Sequence, residues 1–460
     1  MAGTNEKKTV FITAFQNMVT KNILNTGVFE NLVKKDINIV IFCQNEKVEF
    51  FQQIFKQSNV TIKGISVPEV TLALMPKIYL RLSYSLIDSH YLWYKKVERR
   101  DKKPSLLSRP KYYFYHGFTK IFAGHFWIAR LFQSSFLKFV DYKSVRQYFK
   151  EYKPTLLFST DIFDDSDTAF LSSAKKEGVT ILGMVRSWDN CYSKGLLRVI
   201  PDHIIVNNTT IKKELISEHF LDPNIIEEVG LPQFDHFIND TRLTRAEFCK
   251  EVGFDIAKKI LVFAPAGNAL SDIDWQICDI LKDALDQGKF VKPLQILIRN
   301  HPNHPMTFEN LENHGGFVVE LPGKAVGSNQ RNREFTLQEC RHLADTMYHL
   351  DVLMYVATTL GLDATVYNKP QIIINFDGFK NKKYSESVVR YHDEDHMKKL
   401  INTGGVKVAK NTDELINYIN AYLENPKLDN EGRARIVTEQ LYKIDGKSAE
   451  RLSAVLARYV

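Results

Sequence analysis

Ten short apolar runs, each closed by small or polar residues, constrain this chain more than any other feature. The first five are "TVFITAF" (9–15), "INIVIFC" (37–43), "TLLFST" (155–160), "VTILGMV" (179–185) and "HIIVNN" (203–208). The second five are "KILVFAPA" (259–266), "LQILIRNH" (294–301), "GFVVEL" (316–321), "LDVLMYV" (350–356) and "QIIINF" (371–376). Near-continuous apolar runs of this length are strands buried on both faces. Helical patterns separate them: "KNILNTGVFENLVKK" places Ile23, Leu24, Val28, Leu32 and Val33 on one face. Strands alternating with helices predict parallel sheets covered on both sides. The pattern stops after "EEVGLPQFDHF" (227–237) and then restarts, so the chain reads as two α/β domains joined near 232–255. The boundaries expected are 1–232 and 233–440. A helix over 441–460 follows, within a stretch (432–460) that reads as wholly helical.

A length of 460 residues suits two domains, and an apolar fraction of 44% supplies a sizeable core. The five cysteines are scattered, with no CxxC pair, so neither a disulfide framework nor a zinc site is suggested. Reduced thiols in a cytoplasmic protein are the expectation. The polar start "MAGTNEKK" lacks the apolar stretch of a signal peptide. No run approaches the roughly 20 apolar residues of a membrane span. The sequons at Asn59, Asn207, Asn208 and Asn239 are accordingly expected to be idle.

In open parallel sheets ligands bind beyond the carboxyl ends of the strands. The residues there are "RSWDN" (186–190), "AGN" (266–268), "RNHPNHP" (299–305), "ATTLG" (357–361) and "DG" (377–378). A helix starting near Gly361 leaves backbone N–H groups unpaired, and their dipoles favour an anion. Thr358 or Thr359 can cap that helix or donate to an anion, and a glycine lets a phosphate approach the backbone. A simple threonine cap without ligand is the competing account. Asp363 lies in the first turn, within reach of the dipole or of a ribose hydroxyl. Arg299 and His301 alternate about a strand end, and a guanidinium with an imidazole suits a diphosphate. His301 and His304 could also bind a metal, but no third ligand is evident. Asp189 follows a first-domain strand, where a carboxylate can take the proton of an acceptor hydroxyl. An Asp–Asn turn is the alternative. Trp188 offers a ring for a sugar or for packing.

Taken in order, "NILNTGVFENL", "RSWDNCYSKG", "EVGLPQFD", "RNHPNHP", "TTLGLDATVYNKP" and "DGKSAERL" (445–452) resemble the GT-B superfamily of nucleotide-sugar and CDP-alcohol enzymes. The resemblance is to CDP-glycerol glycerophosphotransferase-like surface-polysaccharide proteins and, more distantly, to UDP-N-acetylglucosamine 2-epimerase. It implies two Rossmann-like, doubly wound α/β domains with a crevice between them, a donor nucleotide held mainly by the second, and a final helix crossing back to the first. By that resemblance Thr358, Thr359 and Gly361 contact donor phosphates, Asp363 falls near the ribose-binding acid, and His301 matches the histidine of the "HP" turn. The epimerase's serine- and glycine-rich turn is replaced here by "TTLG", and its acidic catalytic set is not obvious in the first domain, which favours transfer.

An insertion at about 77–153 is basic and aromatic. Lys95, Lys96, Arg99, Arg100, Lys102, Lys103, Arg109 and Lys111 precede Tyr112, Tyr113, Phe114, Tyr115, Phe118, Phe122, Phe126 and Trp127. Such a surface suits an anionic membrane, to which each basic residue contributes about 1 kcal/mol. Nucleic acid is the less favoured partner, and a solvated loop before a buried aromatic helix is the plain alternative.

The reading is a glycosyltransferase of surface-glycan assembly. It uses a nucleotide-sugar as co-substrate, without other cofactor or metal, and a glycan or lipid-linked acceptor. The catalytic candidates are Asp189 and His301. The binding candidates are Arg186, Ser187, Trp188, Gly267, Asn268, Arg299, Thr358, Thr359, Gly361 and Asp363. A CDP-glycerol-type phosphotransferase, an epimerase acting on UDP-N-acetylglucosamine alone, and an inactive binding protein remain the alternatives.

Overall fold

The computed structural model describes residues 7–66, 74–102, 105–267, 271–307, 311, 314–327 and 329–460. The chain divides into two units. The first comprises 1–233, 326–328 and 447–460, the second 234–325 and 329–446.

The first unit is built on a seven-stranded, wholly parallel sheet. Its strands are β1 (Thr9–Thr13), β2 (Asn38–Gln44), β3 (Val60–Ile65), β4 (Leu156–Ser159), β5 (Thr180–Met184), β6 (His203–Val206) and β7 (Ile226–Glu228), in the order β3-β2-β1-β4-β5-β6-β7. The direction of winding reverses between β1 and β4, where Val10 pairs with Leu156. The second unit repeats the plan with β8 (Lys259–Ala264), β9 (Leu294–Arg299), β10 (Phe317–Glu320), β13 (Val352–Tyr355), β14 (Gln371–Ile374) and β15 (Lys407–Ala409). Their order is β10-β9-β8-β13-β14-β15, with the reversal between β8 and β13. Lys324–Val326 (β11) and Asn329–Glu334 (β12) form a separate two-stranded sheet.

The ten apolar runs are all strands. The pattern missed β11 and β12 of the small separate sheet, and it missed β3, β7 and β15, which lie at sheet edges. There an outward face is wet, and residues such as Thr61 and Lys63 interrupt the apolar run.

Two helix expectations need correction. The helix foreseen over 21–35 is two elements, a π-type turn at Thr20–Leu24 and a helix at Gly27–Val33. Thr26 breaks them by taking an extended conformation and accepting the Val28 N–H on its hydroxyl. The segment 432–460 is helical only to Leu441 and again over Ser448–Ala457. Between them Tyr442 (φ 64°) and Gly446 (φ 69°) turn the chain through the left-handed half of backbone space. The last helix gives Ala449, Leu452, Val455 and Leu456 to the first unit's core, beside Val28 and Leu32.

Between β3 and β4 the described chain is helical: Leu74–Ser83, His90–Lys102, Ser108–Phe122, Phe126–Phe139 and Lys143–Tyr152. All five cysteines are buried, and none forms a disulfide.

Candidate functional site

The second unit gathers Gly267, His301 and Thr358–Thr359 just beyond the ends of β8, β9 and β13, around its reversal point. Gly267 has φ 81°, and a Cβ there would lie 2.6 Å from the carbonyl oxygen of His304 and 3.1 Å from Cβ of His301. The loop after β8 therefore runs directly against the "RNHPNHP" turn. Asp274, fully buried at the start of the helix Asp274–Asp286, holds that loop by accepting the N–H groups of Ala266 (3.0 Å) and Gly267 (2.8 Å). Burial pushes the Asp274 carboxyl up to about 6. Asn268 lies outside the described residues.

His301 is half-buried. Its Nδ1 accepts the N–H of Asn303 at 3.2 Å, so the ring proton of the neutral form sits on Nε2. Burial, with His304 adjacent (ring centroids 5.1 Å), lowers its pKa to about 4. At neutral pH it is therefore an uncharged N–H donor. Among the described residues no group of three or more His, Cys, Asp or Glu is placed to hold a metal.

The two threonines divide the work expected of either. The Thr358 hydroxyl accepts the N–H of Leu360 at 3.3 Å, a local cap. Thr359 occupies the N-cap position of the helix Leu360–Val366 without a side-chain cap bond, and it is exposed. The absent side chain of Gly361 makes room for packing rather than for a ligand. A Cβ there would sit 2.5 Å from the phenol oxygen of Tyr355 and 2.9 Å from Oε1 of Gln371. Asp363, on the same helix, is 1% exposed, which leaves a ribose little to touch. Arg299 is 4% exposed and its Nη1 donates to Glu320 at 2.9 Å. Glu320 also binds Nε2 of His342 at 2.9 Å, and Nδ1 of His342 meets Glu251 at 2.9 Å. The guanidinium foreseen for a diphosphate thus belongs to an internal ion-pair chain. Nothing in the local sequence of Arg299 announces Glu320, 21 residues away, or the His342 that Glu320 also holds.

In the first unit "RSWDN" follows β5. Arg186 Nε donates to Asp161 Oδ2 at 2.7 Å, and Asn190 Nδ2 donates to Asp161 Oδ1 at 3.2 Å. Burial opposes the charge on Arg186, but the Asp161 carboxylate outweighs it and raises its pKa. Asp189 is held through both oxygens by hydroxyls, Ser187 at 2.5 Å and Ser193 at 2.7 Å. Trp188 is buried, so its ring packs rather than forming a sugar platform. Behind them Asp167 joins the ends of β1 and β4 by accepting the hydroxyls of Thr13 and Ser159. Asp164 accepts Gln16 Nε2 at 2.6 Å and caps the helix Asp165–Glu177. Burial first, then the neighbouring carboxylates, raises the pKa of both acids. "STDIFDD" carried this acidic cluster in plain view, but not the pairing of its members.

The helical insertion is only partly a free basic surface. Lys95 pairs with Glu98, Arg100 with Asp101, and Lys120 with Asp88. Lys96 donates to Thr119 at 2.6 Å, and burial lowers its pKa to about 8. Lys103 lies outside the described residues, whereas Arg99, Arg109 and Lys111 are exposed. The aromatics are less buried than a core helix requires. The helix Phe126–Phe139 buries Ala129, Phe132 and Phe136 and presents Trp127 (81% exposed), Leu131 (70%) and Phe139 outward. Leu106, Leu107, Tyr113, Phe114 and Ile121 are exposed as well. Among the described residues no helix is long and apolar enough to cross a membrane.

Two doubly wound parallel sheets, in series on one chain, define the GT-B architecture. Solved structures share it over nearly the whole length. The UDP-GlcNAc 2-epimerase of Neisseria meningitidis, determined with UDP-GlcNAc bound, matches with a TM-score of 0.56 at 12% identity, covering 98% of this chain and 100% of that one. The wall teichoic acid polymerase TagF matches with a TM-score of 0.52 at 11% identity, covering 98% and 88%. At such identities the likeness is one of fold. No curated protein matches in sequence. The family model for CDP-glycerol:poly(glycerophosphate) glycerophosphotransferase matches residues 186–457. The chain belongs to that family and is a transferase of the kind that serves surface polymers.

Proposed function

We propose that the protein transfers a phosphate-linked alcohol from a CDP-activated donor to a hydroxyl of a surface polymer. In this reading Gly267, His301, Thr358 and Thr359 hold the donor diphosphate. The observation that carries it is His301, a neutral imidazole with its proton on Nε2, pressed against Gly267 beside the second unit's reversal point. Such a group donates one directed hydrogen bond to a phosphate oxygen at any pH above about 5. The acceptor oxygen bonds to the phosphorus that carries the alcohol, the bond from that phosphorus to the bridging oxygen breaks, and CMP leaves. The acceptor proton passes to a carboxylate. Asp189 fits this role by its place, on the loop after β5 with both carboxylate oxygens oriented by the Ser187 and Ser193 hydroxyls.

Sugar transfer from a nucleotide-sugar, the reading drawn from the sequence, uses the same diphosphate contacts and breaks the sugar's C–O bond instead. Family membership favours phosphoryl transfer. The exposed Trp127, Leu131 and Phe139 of one helix and the exposed Arg99, Arg109 and Lys111 elsewhere in the same insertion support a peripheral seat on an anionic membrane, where a lipid-linked acceptor would lie.

The test is nucleotide release with a lipid-linked glycerophosphate acceptor in vesicles. CMP from CDP-glycerol supports the proposal, and UDP from UDP-N-acetylglucosamine replaces it with sugar transfer. Release of neither, with no calorimetric binding of either nucleotide, overturns both. His301→Ala should weaken donor binding by about 1–3 kcal/mol, the worth of a hydrogen bond to a charged group. Unchanged affinity and turnover would show that the diphosphate binds elsewhere.

A further inference from the structure

Apart from the site at the second unit's reversal point and the acid cluster of the first, the molecule holds a partly open pocket in the first unit. It encloses about 210 Å³ at the carboxyl ends of β2 and β3, and the helix Lys143–Tyr152 closes it. Asn45, Ser66, Ser144, Gln147 and Tyr148 line it together with the apolar Ile65 and Val145. Among the described residues no lysine, arginine, aspartate or glutamate lines it. That is unusual for a chain in which a quarter of the residues are charged. The side chains of Asn45, Ser66, Ser144 and Gln147 hydrogen-bond to no other described residue, so their donors and acceptors are uncommitted. The Tyr148 ring is fixed edge-on against the core residue Phe42, 5.4 Å between centroids, and is half-buried.

We infer that this pocket binds a neutral polyhydroxylated unit, a sugar ring or a polyol, through the amides of Asn45 and Gln147, the hydroxyls of Ser66 and Ser144, and the ring of Tyr148. The chemistry selects for this class. Amides and hydroxyls both donate and accept, as a polyol does, and an aromatic face accommodates the C–H side of a sugar. An anion would find no cation among the described lining residues, and an apolar ligand would strand five polar groups.

The position gives the pocket a use, and this part rests on the proposed transfer to a surface polymer. The pocket and Asp161 lie at the carboxyl end of one sheet, separated by β1. At about 4.8 Å per strand they are on the order of 10–15 Å apart. A polymer whose end reached the strand ends of β4 and β5 would lay an internal unit in the pocket, which thereby holds the acceptor chain rather than the reacting hydroxyl.

Saturation-transfer NMR on the full chain without donor tests this, with glycerol and methyl β-D-glucopyranoside as neutral probes and glycerol 1-phosphate as the charged comparator. Transfer to a neutral probe is expected, with affinity of the order of millimolar. Gln147→Ala, at an exposed position, and Tyr148→Leu, which keeps an apolar contact with Phe42, should each weaken it about five-fold, the effect of one lost contact. No transfer to either neutral probe, equal transfer in wild type and both variants, or stronger transfer to glycerol 1-phosphate would each overturn the inference. Because no donor is present, such a result leaves the transferase reading standing. Intact probe binding without nucleotide release would overturn only that reading.

Discussion

Gly361→Ala separates two meanings of one glycine. If the residue exists to let a phosphate reach the backbone, an added methyl blocks the ligand and spares the fold. If it exists for packing, the methyl strains the fold. The distances favour the second: a Cβ would lie 2.5 Å from the phenol oxygen of Tyr355, and 2.9 Å from both its Cζ and Oε1 of Gln371. Tyr355 is fully buried and its hydroxyl donates to Gln371 at 3.0 Å, so the ring cannot retreat without breaking that bond. Overpacking costs about 1–3 kcal/mol and the hydrogen bond about 1 kcal/mol, against roughly 1 kcal/mol regained from alanine's helix propensity. The net loss is about 1–3 kcal/mol, and at roughly 2–4 °C per kcal/mol the second unit should melt about 2–12 °C lower. Thermal melts and calorimetry with CMP read the two effects apart. Adding Tyr355→Phe removes the closest oxygen, so the double variant should be less destabilised than the two single losses summed. An unchanged melting temperature with nucleotide affinity lost would refute the packing account and restore the phosphate to Gly361.

Asp189→Asn removes the basic oxygen while keeping shape, so turnover should fall about 10²–10⁴-fold with donor affinity and melting temperature held. A collapsed melting temperature would reduce the residue to a clamp for Ser187 and Ser193. His342 gives a pH signature. Burial alone would lower its pKa, but the hydrogen bond and charge of Glu320 outweigh burial and raise it. Its stabilisation is therefore complete below the unfolded value of about 6.5 and lost as pH rises through the folded value. Glu320 runs the other way. Burial would raise its pKa, but His342 and Arg299 hold it below the usual range, so its contribution is present above about 4.3 and lost as pH falls through the folded value. Denaturant titrations of His342→Gln should lose the decline above pH about 6.5, and a wild type with no such decline would contradict the relay. Trp127→Ser with Leu131→Ser should abolish sedimentation with anionic vesicles, and high salt should weaken the wild type. Equal partition onto neutral vesicles would remove the electrostatic part.

The sheets were legible because strands buried on both faces write uninterrupted apolar runs, as "LVFA" and "III" do. The edge strand β3 does not: its "VTIKGI" alternates and wets one side. At the site, position was legible and partnership was not. His301 and Thr358–Thr359 could be placed at strand ends because a run simply stops there. The ion pair that removes Arg299 comes from Glu320 on a neighbouring strand, and the packing that explains Gly361 comes from Tyr355 and Gln371. Such pairings are fixed by register across the sheet, which local spacing does not record. The chain break at Thr26 was visible as a capping threonine, but the apolar spacing across it masked the signal.

The closing helix has a consequence for how the protein comes into being. Ala449, Leu452, Val455 and Leu456 complete a core whose other members, Val326 apart, are made more than two hundred residues earlier. On a ribosome adding about 5–20 residues per second, the first unit waits on the order of tens of seconds with that face of its core uncovered. The second unit, nearly continuous in sequence, can finish folding in that interval. The half of the molecule that is synthesised first therefore matures last, and a nascent chain stalled before Ser448 would present the Val28–Leu32 surface to chaperones and proteases.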